Sequence, residues 1–257
     1  MVEIEILEKK GDKFAIDGDK KTYKLKLLIR GETPQFLNSL KRIIEEEVKT
    51  LAIEDVYVIE NNSAMWDEFI AHRLGLIPLN TPENLGYDSK VKLFLEKEGK
   101  GYVFASDIKS ENSDVYPVYP DIPIAYLEEG QKIKMEIVAT FGSGREHAKW
   151  SPAYVYYYRT ADIIVKGKLS EEDKKILEEL GVEIKGNEII IPENKKYDRT
   201  LLDAIESAIK GKIEVIPKDE FVFVIESYGQ YSTEKIIKLG IVGLKNKIRK
   251  IIEELIK

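Results

Sequence analysis

Three patterns in the 257-residue sequence predict an α+β fold with a discontinuous first domain. Strand-type alternation opens the chain and returns near residue 221, a long apolar-striped helix follows each of those two β segments, and the stretch between them is mainly β until helix and strand alternate after residue 168. These shifts place domain boundaries at 1–51 plus 218–257 for one sheet with two long helices, 52–167 for a mainly β middle domain, and 168–217 for a small inserted α/β unit.

The elements follow in order. Residues 3 to 30 read as strands joined at an Asp17-Gly18-Asp19 turn, because Tyr23, Leu25 and Leu27 alternate with Lys24 and Lys26. Thr33-Pro34 opens a helix: threonine caps, and proline at the first helical position gives up no hydrogen bond. Phe36, Leu37, Leu40, Ile43, Ile44 and Val48 form its apolar face. After a β-branched run from Leu51 to Ile59, a second helix is expected near Ser63, with Met65, Phe69, Ile70 and Leu74 on one side and Pro78 and Pro82 closing it. Strands dominate Lys90 to Tyr158, the best alternation being Ile133, Met135, Ile137 and Ala139. In the insertion, Ser170 precedes a helix EEDKKILEEL, then come a strand EIIIP, a helix LLDAIESAIKG and a closing KIEVIP. Its expected core is Ile176, Leu177, Leu180, Val182, Ile189, Ile191, Leu201, Leu202, Ile205, Ile209, Ile213 and Val215. From about Ser232 the last helix carries Ile237, Ile241, Leu244, Ile248, Ile251 and Leu255 at spacings of 4, 3, 4, 3 and 4, a heptad seam. Three heptads suit either a helix folded on its own sheet or one awaiting a partner; Ile236, Val242, Ile252 and Ile256 widen the stripe beyond a two-stranded seam.

Composition excludes much chemistry. With no cysteine, a disulfide framework, a thiolate zinc site, a cysteine-held cluster and a cysteine nucleophile are all ruled out. Forty Lys and Arg against 46 Asp and Glu give a net charge of -6, short of the basic excess a protein needs to grip nucleic acid by phosphates alone. No apolar run approaches the ~18 residues of a membrane span, and MVEIEILEKK lacks the order of a secretory signal, so a soluble cytoplasmic setting is expected. Dense Lys and Glu with only three Gln (Gln35, Gln131, Gln230) fit a heat-adapted source.

Candidate sites are few. Glu68 and His72 sit four apart on the second helix, and with Glu146 and His147 they make the one metal-hydrolase arrangement the sequence offers; no HExxH pair or three-histidine set supports it. Gly142-Ser143-Gly144 reads as a tight turn, since no Lys-Ser/Thr follows at P-loop spacing. There is no GxSxG elbow and no lysine in a Schiff-base context. Lys149 and Trp150, followed by Tyr154, Tyr156, Tyr157 and Tyr158, suit an interface, with single-strand nucleic-acid stacking as the rival use.

Two segments carry a family likeness. Asn61–Leu79, NNSAMW followed by DEFIAHRLGLIPL from Asp67, and Gly144–Pro152, GREHAKWSP, closely resemble the two signatures of the D-subunit family of archaeal DNA-directed RNA polymerase, counterpart of the bacterial alpha subunit's amino-terminal domain and its eukaryotic equivalents. Leu37–Ile44 followed by Val48–Ile53 more loosely resembles the first dimerisation helix shared with the bacterial alpha subunit. The resemblance spans nearly the whole chain. It implies an alpha-subunit-like dimerisation domain, a ferredoxin-like insertion, and a non-catalytic role within a nucleotidyltransferase complex. It also implies pairing with subunit L, then recruitment of subunits N and P and the large catalytic subunits, with DNA met only through the complex. On that basis the expected contacts to subunit L are Phe36, Leu40, Ile44, Ile237, Ile241, Leu244 and Ile248; Glu68, His72, Arg73, Arg145, Lys149 and Trp150 are expected to make motif structure or other subunit contacts. Many members hold a four-iron, four-sulfur cluster on cysteines of the insertion, whereas residues 168–216 contain none, so no cofactor is expected.

Overall fold

Apolar alternation becomes sheet and apolar stripes become paired helices in the computed structural model, which describes residues 2–11, 22–186, 188–192 and 195–256. The expected turn at Asp17-Gly18-Asp19 lies outside the described residues. Strands β1 (Glu3–Gly11) and β2 (Thr22–Arg30) lead to helix α1 (Pro34–Glu47), with proline at its first position as read from sequence. Then come β3 (Lys49–Asn61), α2 (Asp67–Gly75), β4 (Lys90–Glu98), β5 (Gly101–Phe104), β6 (Ile108–Ser110), β7 (Pro123–Leu127), β8 (Lys132–Ser143) and β9 (Ala153–Val165). The chain continues through α3 (Glu171–Glu179), β10 (Glu183–Lys185), β11 (Glu188–Ile190), α4 (Arg199–Ala208) and β12 (Ile213–Ser227) to α5 (Thr233–Ile256). One four-stranded sheet has the order β1-β2-β12-β9, so β2, near the start of the sequence, pairs with β12, near its end.

The chain divides into two compact units. The larger comprises Glu8–Leu25, Pro34–Val155 and Ile225–Lys257. Its sheet runs β3-β8-β4-β6, with β8 antiparallel to β3 from Lys49↔Ser143 to Asn61↔Ile133 and to β4 from Lys90↔Thr140 to Glu98↔Lys132. Because side chains alternate across a strand, Ile133, Met135, Ile137 and Ala139 all reach the same face, where Leu93, Leu95, Ile53 and the α2 residues Ile70 and Leu74 complete a buried core. Helices α1 and α5 pack on each other through glycines: a Cβ on Gly240 would stand 2.5 Å from Ile44, and one on Gly243 would stand 2.9 Å from Ile43. Absent side chains let the two backbones approach.

The smaller unit comprises Met1–Leu7, Lys26–Thr33 and Tyr156–Val224. Leu28, Val222 and Val224 are buried there with Tyr156 and Tyr158 against them, while Tyr157 packs on Phe221 and Phe223 from the other face. Leu169, Leu177, Val182, Leu201, Ile205 and Ile209 form the core around α3 and α4. Ile163 and Val165 of β9 add to it, and Ile176, expected inside, is exposed instead. Ser170 and Asp173 form a reciprocal cap at the start of α3, and Asp198 caps α4 by accepting from Thr200 N and Leu201 N.

Helix α2 starts later than the sequence suggested. Ser63 is held by the side chain of Asn61, whose Oδ1 accepts from Ser63 N and Oγ, and the chain bends through 63–65 to an extended Trp66. The Asn61 amide also donates to Met65 O and Asp67 Oδ1, so a turn built on one asparagine takes the residues a helix would have used. β12 is one continuous strand through 217–218, where the insertion was expected to return to the first domain.

Candidate partner interfaces

The two family-like segments fold in opposite senses. In Asp67–Leu79, Ile70, Leu74, Ile77 and Leu79 are fully buried and anchor the segment, while its aromatic residues point out. Trp66 is 74% exposed and Phe69 61% exposed, their rings 6.4 Å apart and edge-on. Phe69, read from sequence on one side of the helix with Ile70 and Leu74, faces out instead, because Ile70 and Leu74 already fill the inner face of this short helix. Together with Ala64, Met65 and Tyr126 of β7, these rings line a shallow apolar hollow of about 420 Å³. Tyr126 continues into Tyr102, 4.9 Å away, and Phe104 beyond it. Five aromatic residues thus share one outer surface, far more than a stable monomer needs to expose. Sequence reasoning missed Trp66, Tyr102, Phe104 and Tyr126 as a group; the alternation Tyr102/Phe104 in β5 was the available signal, and only the β5–β7 pairing brings Tyr126 beside it.

Glu68, His72 and Arg73 lie on the outer side of α2. Arg73 donates to Pro123 O and so ties α2 to β7. The other metal ligands of the hydrolase reading are used locally: Glu146 accepts from Ser143 N at 2.7 Å and Ser143 Oγ at 2.9 Å, bonds that hold its carboxyl below the ordinary range, and His147 Nδ1 accepts from Lys149 N. Among the described residues no three His, Asp or Glu side chains gather to hold a metal ion.

Gly144–Pro152 turns inward. Trp150 is only 7% exposed, its Nε1 donates to Thr140 O at 3.0 Å, and its carbonyl accepts from the buried Thr50 hydroxyl at 2.7 Å. The ring lies flat against Gly142, where any side chain would collide with it. Lys149 sits 4.4 Å over that ring, donates to Ile53 O at 2.9 Å and pairs with Glu54, which satisfies the outer edge of β3. Gly144 lets the loop close on the last turn of α1 at Glu45 O, and Arg145 N donates to Glu46 O at 3.0 Å. The Arg145 guanidinium adds ion pairs to Glu46 and Glu47. α1 has no basic residue of its own in its last turn, so this distant loop supplies both the cap and the charge that the helix end attracts.

The two long helices present a third surface. Leu40 and Ile44 are buried, both lying against Gly240 of α5 within the chain. Phe36 is part-exposed, Ile237 and Leu244 are half-buried, and Ile241 and Ile248 stand open. Beyond them Val242, Ile251, Ile252, Leu255 and Ile256 are all exposed, Leu255 at 80%. The apolar stripe therefore has an inner part that holds α1 and an outer part that stays exposed among the described residues.

Residues 56–153 match the family model described as the RNA polymerase Rpb3/RpoA insert domain. A DNA-directed RNA polymerase subunit Rpo3 from Thermococcus kodakarensis is 38% identical over 99% of this chain and 98% of its own length. The chain belongs to the archaeal Rpo3 family. Rpo3 of Pyrobaculum arsenaticum is 34% identical over 91% of this chain and 92% of its own, and Rpo3 of Natronomonas pharaonis is 32% identical over 86% and 88%. As a member of the Rpo3 family the chain is a transcription protein whose partners are other polymerase subunits. No helix among the described residues is long and apolar enough to cross a membrane. A cysteine-held cluster does not fit this Rpo3-family chain: the insertion has no cysteine, and aliphatic side chains fill its interior.

Proposed function

We propose that this chain is a non-catalytic assembly subunit that pairs with subunit L through α1 and α5, the heterodimer then recruiting subunits N and P and the large catalytic subunits, in the cytoplasm. The open outer stripe of α5 carries this reading. Ile241, Ile248, Ile251, Ile252 and Leu255 are exposed along one helix, and covering such a stripe returns ~25 cal/mol for each Å² of apolar surface taken from water. Phe36 extends the stripe from α1, while Leu40 and Ile44 act from behind by fixing the helix pair; Ile237 and Leu244 border both layers. The corresponding division is a dimerisation domain of 1–51 plus 218–257, a middle domain of 52–167 and an insertion of 168–217. In the middle domain the Trp66, Phe69 and Tyr126 hollow, with Glu68, His72 and Arg73 beside it, serves contacts to further subunits. Arg145, Lys149 and Trp150 serve by shaping the scaffold behind them. The test is co-purification of the tagged chain with subunit L after Ile241→Lys and Ile248→Lys. Both side chains are exposed, so the fold is expected to survive while subunit L is lost; retention of L at one-to-one ratio would reject these side chains as the interface.

A further inference from the structure

Four cations, Lys49, Arg145, Lys247 and Lys250, rim a cleft of about 660 Å³ in the larger unit, where the end of α1, the loop after β8 and α5 come together. Against the chain's net charge of -6 this is a local reversal of sign. One carboxylate lines the cleft: Glu47, which Arg145 holds at 3.1 Å and which Lys247 also pairs. Lys49 and Lys250 make no ion pair among the described residues; Lys49 stands 5.4 Å over the Tyr87 ring and helps, through space, to hold the Glu146 carboxyl down. The floor is different. Ile43, Val48, Leu239 and Val242 make it aliphatic.

We propose that this cleft binds a peptide segment of a polymerase partner in which an aliphatic side chain is flanked by carboxylates. The charge at the rim and the apolar floor together select that chemistry: carboxylates meet Lys49 and Lys250, and the aliphatic group fills the floor. Nucleic acid fits less well. A base needs an open ring to stack on, and the one ring here, Tyr87, is already faced by Lys49 and packed at 82° against Phe141. The proposal deepens the assembly reading; the cleft borders the outer stripe at Val242 and is defined by Lys49 and Lys250, apart from Ile248.

The experiment uses assembled polymerase with the photo-crosslinker p-benzoylphenylalanine in place of Asn246, which lines the cleft, and a parallel preparation labelled at Ile248. The expected product from position 246 is a partner peptide with an aliphatic residue between Asp or Glu residues. Its yield is expected to fall about tenfold when Lys49→Glu and Lys250→Glu reverse the rim, and to persist with Lys49→Arg and Lys250→Arg. A crosslink to nucleic acid, a crosslinked peptide without carboxylates, an unchanged yield after charge reversal, or no crosslink while position 248 still reacts would each overturn the proposal. Failure at position 248 alone counts against the α5 interface and leaves the cleft to be judged by position 246.

Discussion

Two tryptophans, each in a segment equally recognisable from sequence, have opposite fates: Trp66 is 74% exposed and Trp150 is 7% exposed. Trp66 stands on the extended residues before α2, where Ile70 and Leu74 already satisfy the core and the ring has nowhere inward to go. Trp150 has a glycine opposite it and a carbonyl for its N–H, so burying the ring leaves no polar atom stranded. A recognisable motif is therefore not one kind of thing. One segment displays a surface, and the other clasps a helix end to a sheet.

The largest expected effect is at the inward segment. Trp150→Ala should destabilise the larger unit by about 3–5 kcal/mol, measured by chemical denaturation; a loss under about 1 kcal/mol would mean that the ring is not the keystone of the clasp. Gly142→Ala should cost about 1–3 kcal/mol by overpacking against the same ring. Because the two positions touch, the double variant with Trp150→Leu should cost less than the sum, and strict additivity would break the contact argument.

A smaller, pH-dependent effect belongs to the other unit. Lys212 and Ser170 hold the Asp173 carboxyl down from its ordinary 3.8 to about 2. A carboxyl depressed on folding contributes stability that is fully present above its unfolded pKa and is lost as pH falls through the folded value. Hydrogen exchange of α3 should therefore quicken between about pH 4 and pH 2. Asp173→Asn should flatten that dependence; an unaltered profile would assign acid sensitivity to other groups. The smallest effect on stability is expected at the outward segment. Trp66→Ser with Phe69→Ser should shift stability by no more than about 0.5 kcal/mol, yet weaken incorporation into polymerase in a reconstitution assay. Marked unfolding would return both rings to a structural role.

Much of the fold was legible because periodicity is local. The α1 and α5 stripes, the β8 alternation, the proline start of α1 and the Ser170 cap all rest on residues within a few positions of one another. What was illegible depended on distant partners. Phe69 looked like core from helical spacing, and only the filled interior around Ile70 and Leu74 shows why it is outside. The late start of α2 came from asparagine side-chain bonds that compete with helix. The stripe on α5 was visible as a whole, but its division into an inner part holding α1 and an open outer part follows from Gly240 and Gly243, whose meaning appears only when α1 lies beside them.

The clasp at the end of α1 also has a timetable. Arg145 closes on Glu46 across 99 residues of sequence. At synthesis rates of about 5–20 residues per second, a ribosome needs roughly 5–20 s after making Glu46 before Arg145 even exists. For that interval the helix end lacks the Arg145 contacts, and β3, α2 and β4 to β8 are made while it waits. Residues at the clasp should thus mature late in biogenesis although α1 is among the first elements translated.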